Sequence, residues 1–344
     1  MKSKIKKYFL SLMFDSQNRK IVKKKKLSIP RYIISGHQEL QFFSFGKKND
    51  DKIFYVIQRK IGGGLFSNLL YVLNHLVISE KFNFIPVIDM ENFEGFYNEK
   101  YKVNKTLNSW EYYFEQPTNF SLQEVYKSRN VIITSNKTFK NYKFRAKTKH
   151  KELKKVFKKY IRFKKNILTE VEKITQNLDI NKANTIGLHW RGTDHKFLPN
   201  HPQPPSRKQI FERITYLVKN HKSNKIFVVT EDPDYLKILK KKYNNQILYL
   251  DSFRSTKSSD FSNFARKNHR YKVGKESIIE TLILAKLNYL ICSESNISDF
   301  VKFISTNKKF NIDRIINRRN STSTLFSYLR WKIKSILPFY FGGY

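Results

Sequence analysis

A chain of 344 residues with 40% apolar side chains is long enough for two cores of ordinary domain size. Its 67 Lys and Arg against 28 Asp and Glu leave a formal charge of +39, which favours a polyanionic partner: nucleic acid, anionic lipid or a phosphorylated small molecule. The one cysteine, Cys292, excludes an intramolecular disulfide, and no Cys/His spacing is typical of a zinc site. A reducing cytoplasm is therefore expected.

The first half of the chain opens with a basic leader, residues 1–50, followed by a predicted domain over residues 51–165. The stretch "KIFYVIQRKIGGGLFSNLLYVLNHLVISEKFNFIPVIDMENF" predicts a strand, a glycine turn, a helix and a second strand, which together make a βαβ unit. A loop, a short helix and a further strand are expected in "NSWEYYFEQPTNFSLQEVYKSRNVIITS". The basic helical pattern over residues 149–174 predicts a bridge between two domains.

The second half alternates strands and helices, and it forms a second predicted domain over residues 166–312. Strands are predicted over 185–191, 225–230, 246–251 and 289–293, and helices over 206–220, 233–243, 274–287 and from about 297. Strands separated by helices of this length indicate a parallel sheet covered on both faces. The fold class is therefore α/β.

Polar side chains recur just beyond the predicted strands, where a parallel α/β sheet binds its ligands. They are His189, Arg191, Thr193 and Asp194 around the end of the first strand, Thr230, Glu231 and Asp232 after the next, and Ser293, Ser295 and Asn296 after the last. We expect these groups to converge on one crevice.

Arg191 ends a buried strand, where a guanidinium needs either a carboxylate or a ligand anion that it can bind with two hydrogen bonds. Asp194 and Glu280 are the carboxylates considered for a purely structural pair. His189 shares the strand face of Arg191, so it can donate to a phosphate or orient the arginine; alone it would be an ordinary core histidine.

Two further features could belong to a ligand-binding or catalytic site, although their sequence patterns are less specific. Gly63 and Gly64 lie between a strand and a helix, where backbone amides can hold a phosphate, although the turn lacks the residues of a P-loop or a dinucleotide fingerprint. Glu280 lies in a helix that is apolar nearly all round, so its carboxylate needs a partner, structural or catalytic. The common hydrolase, zinc-enzyme and RNA-binding signatures are absent from the sequence, which leaves a phosphate-binding transfer enzyme.

The motif "HWRGTD" resembles the His-x-Arg-x-Thr-Asp motif of the α1,6-fucosyltransferases and their bacterial nodulation relatives, part of the O-fucosyltransferase-like group. "GGGLFSNLLYVLNHL" with "FIPVIDMENF" is similar to the glycine-turn region of bacterial members, and "KESIIETLILAKLNYLICSESNISDF" to their last motif. The resemblance covers roughly residues 55–310. It implies a GT-B fold, two Rossmann-like domains facing a cleft, with GDP-sugar on the carboxy-terminal one, no metal, and inversion at the anomeric carbon.

The resemblance also assigns roles to residues of this chain. Arg191 would neutralise the diphosphate of the leaving group and His189 would contact it, with Thr193 and Asp194 in the same donor-binding motif. Glu280 would occupy the buried acid position, which is commonly Asp. Ser295 and Asn296 would match the nucleotide-binding serine turn, and Asp232 would lie near the nucleotide.

One position departs from the family pattern. Many members carry a second arginine directly after the first, whereas this chain has Gly192, so the donor could be GDP-fucose or another nucleotide sugar. Inversion also needs a base for the acceptor hydroxyl. Asp89 is the candidate with Glu91 and Glu94 beside it; each could instead cap or pair locally.

The sequence as a whole predicts a cytoplasmic fucosyltransferase that uses GDP-fucose as donor substrate, needs no cofactor, and modifies a glycan or lipid-linked acceptor. Two alternatives stay open: a nucleic-acid-binding polycation, and a catalytically inactive sugar-nucleotide-binding scaffold. No specific nucleic-acid partner is expected.

The tail, residues 313–344, predicts a basic amphipathic surface anchor on the inner face of the plasma membrane. Apolar side chains alternate there with basic ones, and Trp331, Phe339, Tyr340 and Phe341 add aromatic rings suited to a lipid interface. The alternative is that the apolar stripe packs on the protein's own core.

Overall fold

The computed structural model describes residues 40–60, 63–134, 143–145, 150–221, 223–338, 341 and 343. The chain divides into two compact units, Met1–Lys164 and Lys165–Tyr344. The basic leader before residue 40, the tail residues Phe339 and Tyr340, and the side chain of Asp194 lie outside what the structure describes.

The amino-terminal unit is built on a four-stranded sheet in the order β1-β4-β2-β3, in which only β1 runs antiparallel. Its elements are β1 Leu40–Phe43, β2 Phe54–Ile57, α1 Leu65–Phe82, β3 Ile85–Ile88, α2 Leu122–Val125, β4 Val131–Thr134 and α3 His150–Tyr160. Every residue of β2 and β4 is buried, as expected for parallel strands that are covered on both faces. The βαβ unit predicted from the glycine turn is present as β2, α1 and β3.

The carboxy-terminal unit contains a five-stranded, fully parallel sheet in the order β7-β6-β5-β8-β9. Its elements are α4 Lys165–Asn177, β5 Thr185–His189, α5 Arg207–His221, β6 Lys225–Val229, α6 Pro233–Tyr243, β7 Ile247–Leu248, α7 His269–Lys286, β8 Tyr289–Ser293, α8 Asn296–Ile304, β9 Asn311–Ile315 and α9 Thr324–Ile336. The chain builds outward from β5 in one direction and then returns to β8 on the other side. This reversal creates a switch point between β5 and β8, outside whose carboxyl ends a ligand crevice is expected.

The two faces of this sheet are covered by different helices. Ile186 and Leu188 of β5 pack in one apolar cluster with Ile210 of α5 and Leu239 of α6. On the opposite face, a β-carbon added at Gly187 would meet Leu284 of α7 at 2.8 Å. The absence of a side chain at Gly187 lets α7 approach β5 closely, and His189 lies on that same face.

The predicted bridge helix over 149–174 is two helices, α3 and α4, and the prediction of one element was wrong. Residues 162–164 leave the helical path because their backbone pairs elsewhere: Glu115 donates to the Arg162 carbonyl at 2.9 Å, and Lys164 donates to the Tyr113 carbonyl at 2.9 Å. Within its own unit α3 packs on α1, and α4 packs on α7. Each helix therefore belongs to one core.

Smaller differences concern element ends. The predicted strand 246–251 is a two-residue strand, and the helix predicted from residue 274 begins five residues earlier, at His269. Strand β9, at the sheet edge, was not predicted from the sequence. No helix among the described residues is long and apolar enough to cross a membrane.

Candidate functional site

The carboxyl ends of β5, β6 and β8 bring several of the predicted polar residues together in the carboxy-terminal unit. Arg191 Nε lies 3.9 Å from Glu231 Oε1, which joins the segment after β5 to the one after β6. His189 Nδ1 lies 3.4 Å from the hydroxyl of Ser295, which joins β5 to the turn after β8. Groups from three strand ends therefore meet at the switch point, where the crevice is predicted.

Arg191 is the cation at this edge. Its side chain keeps 30% of its surface exposed and that of Glu231 keeps 22%, so both groups are accessible to a ligand. Glu231 Oε1 also accepts the backbone N–H of Gly192 at 2.9 Å. Glu231 is thus a carboxylate that approaches Arg191; the sequence named it among the strand-end groups, and the side chain of Asp194, considered as a structural partner, lies outside the described residues.

His189 is fully buried at the end of β5. Burial, followed by the positive charge of Arg191, lowers the pKa of its imidazole to about 3. The ring is therefore neutral at pH 7 and carries one N–H donor. A neutral ring can donate to an anion without the cost of burying a second positive charge beside Arg191.

Gly192 is the position at which the sequence departs from the motif that it resembles, and the structure shows why a side chain does not fit there. A β-carbon here would lie 2.6 Å from Asp232 Oδ2 and 2.8 Å from Cε2 of Tyr235. The next residue, Thr193, has φ of 40°, which is unusual and strained for a β-branched residue. The chain turns tightly here, and Thr193 donates its hydroxyl to the Ser255 carbonyl at 3.1 Å.

Asp232 is completely buried and is held by protein groups. Its carboxylate lies 2.5 Å from Lys196 Nζ and caps α6 by accepting the Asp234 N–H at 3.0 Å. A long contact of 3.4 Å joins it to the Thr193 N–H. These contacts give Asp232 a structural role beside the crevice, by organising the turn that follows Arg191.

Glu280 lies in the middle of α7 with its carboxylate buried. It accepts the Ser252 hydroxyl at 2.7 Å and lies 4.0 Å from Arg254 Nη2. Burial raises its pKa to about 7, against the opposing effects of Ser252 and Arg254. The carboxyl group is therefore close to half protonated at neutral pH. Sequence reasoning missed Ser252 and Arg254, which follow β7 and could have been found by extending the strand-end rule to that strand.

Ser295 and Asn296 begin helix α8 beside the end of β8. Ser295 forms a capping box with Ser298, whose N–H it accepts at 3.0 Å, while Asn296 is exposed in the first turn. The amino end of a helix carries partial positive charge and suits an anionic ligand. The buried hydroxyl of Ser293, just upstream, has no hydrogen-bond partner among the described residues.

The remaining predicted residues lie in the amino-terminal unit. Gly63 donates its N–H to Asn68 Oδ1 at 2.9 Å, and Gly64 precedes α1. Asp89 is buried and accepts hydrogen bonds from the Glu91 N–H at 3.0 Å and the Tyr126 hydroxyl at 2.6 Å. Its carboxylate therefore closes a local turn, which is a structural role rather than that of an open base.

No group of three or more His, Cys, Asp or Glu side chains in the described part of the chain is arranged to hold a metal ion.

Neither a protein-family model nor a curated protein sequence matches the chain.

Three solved structures illustrate what the fold is similar to. The NodZ α-1,6-fucosyltransferase soaked with GDP-fucose matches at 13% identity and a TM-score of 0.47, over 74% of this chain and 93% of that one. POFUT1 in complex with GDP matches at 10% identity and a TM-score of 0.47, over 76% of this chain and 98% of that one. A point mutant of Arabidopsis thaliana FUT1 in complex with GDP matches at 10% identity and a TM-score of 0.43, over 92% of this chain and 82% of that one. The residues of the crevice, and not this likeness, carry the functional conclusion.

Gly192→Ala is expected to lower the free energy of unfolding by about 1–3 kcal/mol, because the added methyl group overlaps Asp232 and Tyr235. Gly192→Arg should destabilise the protein further. The control is Gly64→Ala, where a β-carbon meets nothing within 4 Å. Urea unfolding of the three variants measures the difference, and a Gly192→Ala protein as stable as the wild type would refute the close packing described here.

Glu280→Gln is expected to flatten the pH dependence of stability between about pH 4.5 and 7. Below pH 4.5, the ordinary pKa of a glutamate, the carboxyl group is protonated in both the folded and the unfolded state. Between pH 4.5 and about 7, the pKa in the folded protein, only the folded state keeps the proton, so wild-type stability falls as pH rises. The loss amounts to about 3 kcal/mol. Unfolding midpoints measured from pH 4 to 8 test this, and parallel curves for the two proteins would contradict it.

Proposed function

We propose that this chain is a cytoplasmic, metal-independent and inverting glycosyltransferase that moves fucose from GDP-fucose to a glycan or lipid-linked acceptor. The observation that carries the proposal is the position of Arg191: an accessible guanidinium at the switch point of a parallel sheet. The resemblance of the "HWRGTD" motif to that of the α1,6-fucosyltransferases supports the same assignment.

The chemistry follows from the charges at the crevice. The acceptor hydroxyl oxygen forms a bond to the anomeric carbon from one face while the bond to the diphosphate breaks on the other, which inverts the centre. Negative charge then grows on the departing diphosphate. Arg191 would stabilise that charge, with the single N–H of His189 and the amino end of α8 as further donors.

We propose that the general base is one of the three carboxylates indicated by the sequence. Asp89 is bound by Tyr126 and by its own turn, so its lone pairs are occupied. Glu91 is exposed, and its pKa is raised by partial burial of the carboxyl group and by Asp89. Glu91 and Glu94 are both exposed, so they are preferred over Asp89 as candidates for the base.

Donor specificity is proposed on the same residues. Because residue 192 is a glycine, the "HWRGTD" motif contains one arginine, Arg191. The nearby Lys196 is already paired with Asp232. The crevice therefore presents fewer cations to the diphosphate than the family motif implies, and another nucleotide sugar is the alternative donor. A scaffold that binds the donor without turnover is the second alternative, and release of free fucose from GDP-fucose by the purified protein would exclude it.

Arg191→Ala is expected to lower fucosyl transfer, or donor hydrolysis, by about two to four powers of ten while the fold is kept. The reason is that a contact to the leaving group acts mainly in the transition state. Arg191→Lys should recover part of the activity, because a lysine keeps the charge but not the two-pronged geometry. Activity is measured with EDTA present, which tests metal independence in the same assay.

The matched control is Arg213→Ala, which removes an exposed arginine of α5 that pairs with Asp313 at 3.7 Å. It should leave turnover within about twofold, since the arginine lies outside the strand-end segments that line the crevice. Equal turnover in wild type and Arg191→Ala would remove the basis of the proposal. Turnover that appears only when Mn²⁺ or Mg²⁺ replaces EDTA would contradict the metal-independent mechanism.

A further inference from the structure

Helix α9 exposes an apolar face. Among the described residues, its exposed large apolar side chains include Leu325 at 63%, Leu329 at 48%, Ile333 at 59% and Ile336 at 82% of their surface. At 100° per residue these side chains and the exposed Phe326 lie within an arc of about 100°. A stripe of this kind on an ordinary surface helix would face the core.

The opposite face of α9 already holds the helix on the protein. Arg330 Nη2 donates to Asn320 Oδ1 at 2.7 Å, and Ser327 is buried. The Trp331 ring lies 5.2 Å from Lys196 Nζ, and the Tyr328 ring packs edge-on against Phe197 at 6.2 Å. The helix is therefore fixed with its apolar stripe outward, and the alternative in which that stripe packs on the protein's own core does not describe it.

The chain segment that carries the stripe has charge of one sign, although Arg314 and Arg319 pair with Asp299 and Glu294 from outside it. From residue 314 to the end of the sequence there are six basic residues and no acidic one. Lys332 is exposed and, by its helical position, borders the stripe, and Arg318 is exposed just upstream of the helix. Two copies of this face brought together would place like charges side by side, which opposes a self-pair, whereas an anionic lipid leaflet offers both apolar depth and opposite charge.

We propose that the exposed face of α9 docks on an anionic lipid bilayer, with the apolar side chains Leu325, Leu329, Ile333 and Ile336 in the interfacial region and Lys332 and Arg318 against the headgroups. This inference goes beyond the proposed function and does not depend on it. Its geometry has one consequence for the site: Asn320 donates to the carbonyl of His195 at 2.9 Å. Arg330 of the docked helix is thus linked through Asn320 to the segment that follows Arg191.

The experiment measures co-sedimentation of the full-length chain with vesicles of phosphatidylglycerol and phosphatidylcholine, and with phosphatidylcholine alone. Wild-type protein should sediment with the anionic vesicles and much less with the neutral ones. The variant Leu329→Gln/Ile333→Gln/Ile336→Gln should lose at least about tenfold in partitioning. Its control, Tyr101→Gln/Leu168→Gln/Tyr216→Gln, removes three exposed apolar side chains elsewhere and should bind as the wild type does.

A second pair of variants separates the docking face from the overall charge of +39. Arg318→Gln/Lys332→Gln should weaken binding several-fold, while Lys237→Gln/Lys241→Gln, which removes two exposed charges on α6, should not. Equal losses in both pairs would overturn the proposal in favour of diffuse charge attraction. A triple α9 variant that binds vesicles as the wild type does would also overturn the proposal. So would a wild-type protein that binds no lipid but forms a dimer in sedimentation velocity, if the triple variant dissociates that dimer.

The same variants keep this proposal distinct from the enzymatic one. All of them should keep the same thermal shift with GDP as the wild type, since none removes a residue of the crevice. Loss of vesicle binding with GDP binding intact supports docking through α9. Loss of both would show a misfolded unit and would count against α9 as a separable docking face.

Discussion

The buried ion pair between Lys196 and Asp232 is the interaction on which the crevice depends. Asp232 is completely inaccessible, caps α6, and contacts the backbone of Thr193, so it fixes the turn that begins at Gly192. Removing one partner of such a pair would leave an uncompensated buried charge, at a cost of about 3–5 kcal/mol.

The same pair links the crevice to the surface of the unit. Lys196 Nζ lies 5.1 Å from the Tyr235 ring and 5.2 Å from the Trp331 ring, so one ammonium group is shared by a carboxylate and two aromatic faces. Tyr235 belongs to α6 and Trp331 to α9. Contacts that hold the turn, the ligand crevice and the exposed helix in place therefore meet at a single side chain, which accounts for a lysine being tolerated in a nearly closed position.

Burial favours the neutral form of two titratable groups around the crevice. His189 is neutral at pH 7 because of burial and the charge of Arg191, and Glu280 is close to half protonated because of burial. The positive charge of Arg191 faces the partly exposed carboxylate of Glu231. An anionic ligand would compete with that carboxylate, which lies 3.9 Å away and so outside hydrogen-bonding distance of the arginine Nε.

The sequence predicted the parallel strands and helices of the carboxy-terminal unit and the residues at their ends, because hydrophobic periodicity and the strand-end rule are local signals. It could not predict the break after Tyr160, which arises from backbone pairing of residues 162–164 with residues some fifty positions earlier. Local capping by Asp89 was an open alternative from the sequence, but the sequence could not predict the long-range partners that hold Asp89 and Asp232. Those partners, Tyr126 and Lys196, are set by tertiary packing and not by spacing in the chain.

A thermal-shift titration with nucleotides and nucleotide sugars is the measurement that tests the central claim most directly. The account predicts that GDP and GDP-fucose stabilise the protein, by about 2.7 kcal/mol at about a hundred times the dissociation constant, whereas UDP- and CMP-sugars do not. The stabilisation by GDP, which carries the full charge of the departed leaving group, should be smaller in Arg191→Ala. No shift with any nucleotide, or an equal shift with Arg191→Ala, would contradict a donor site at this crevice.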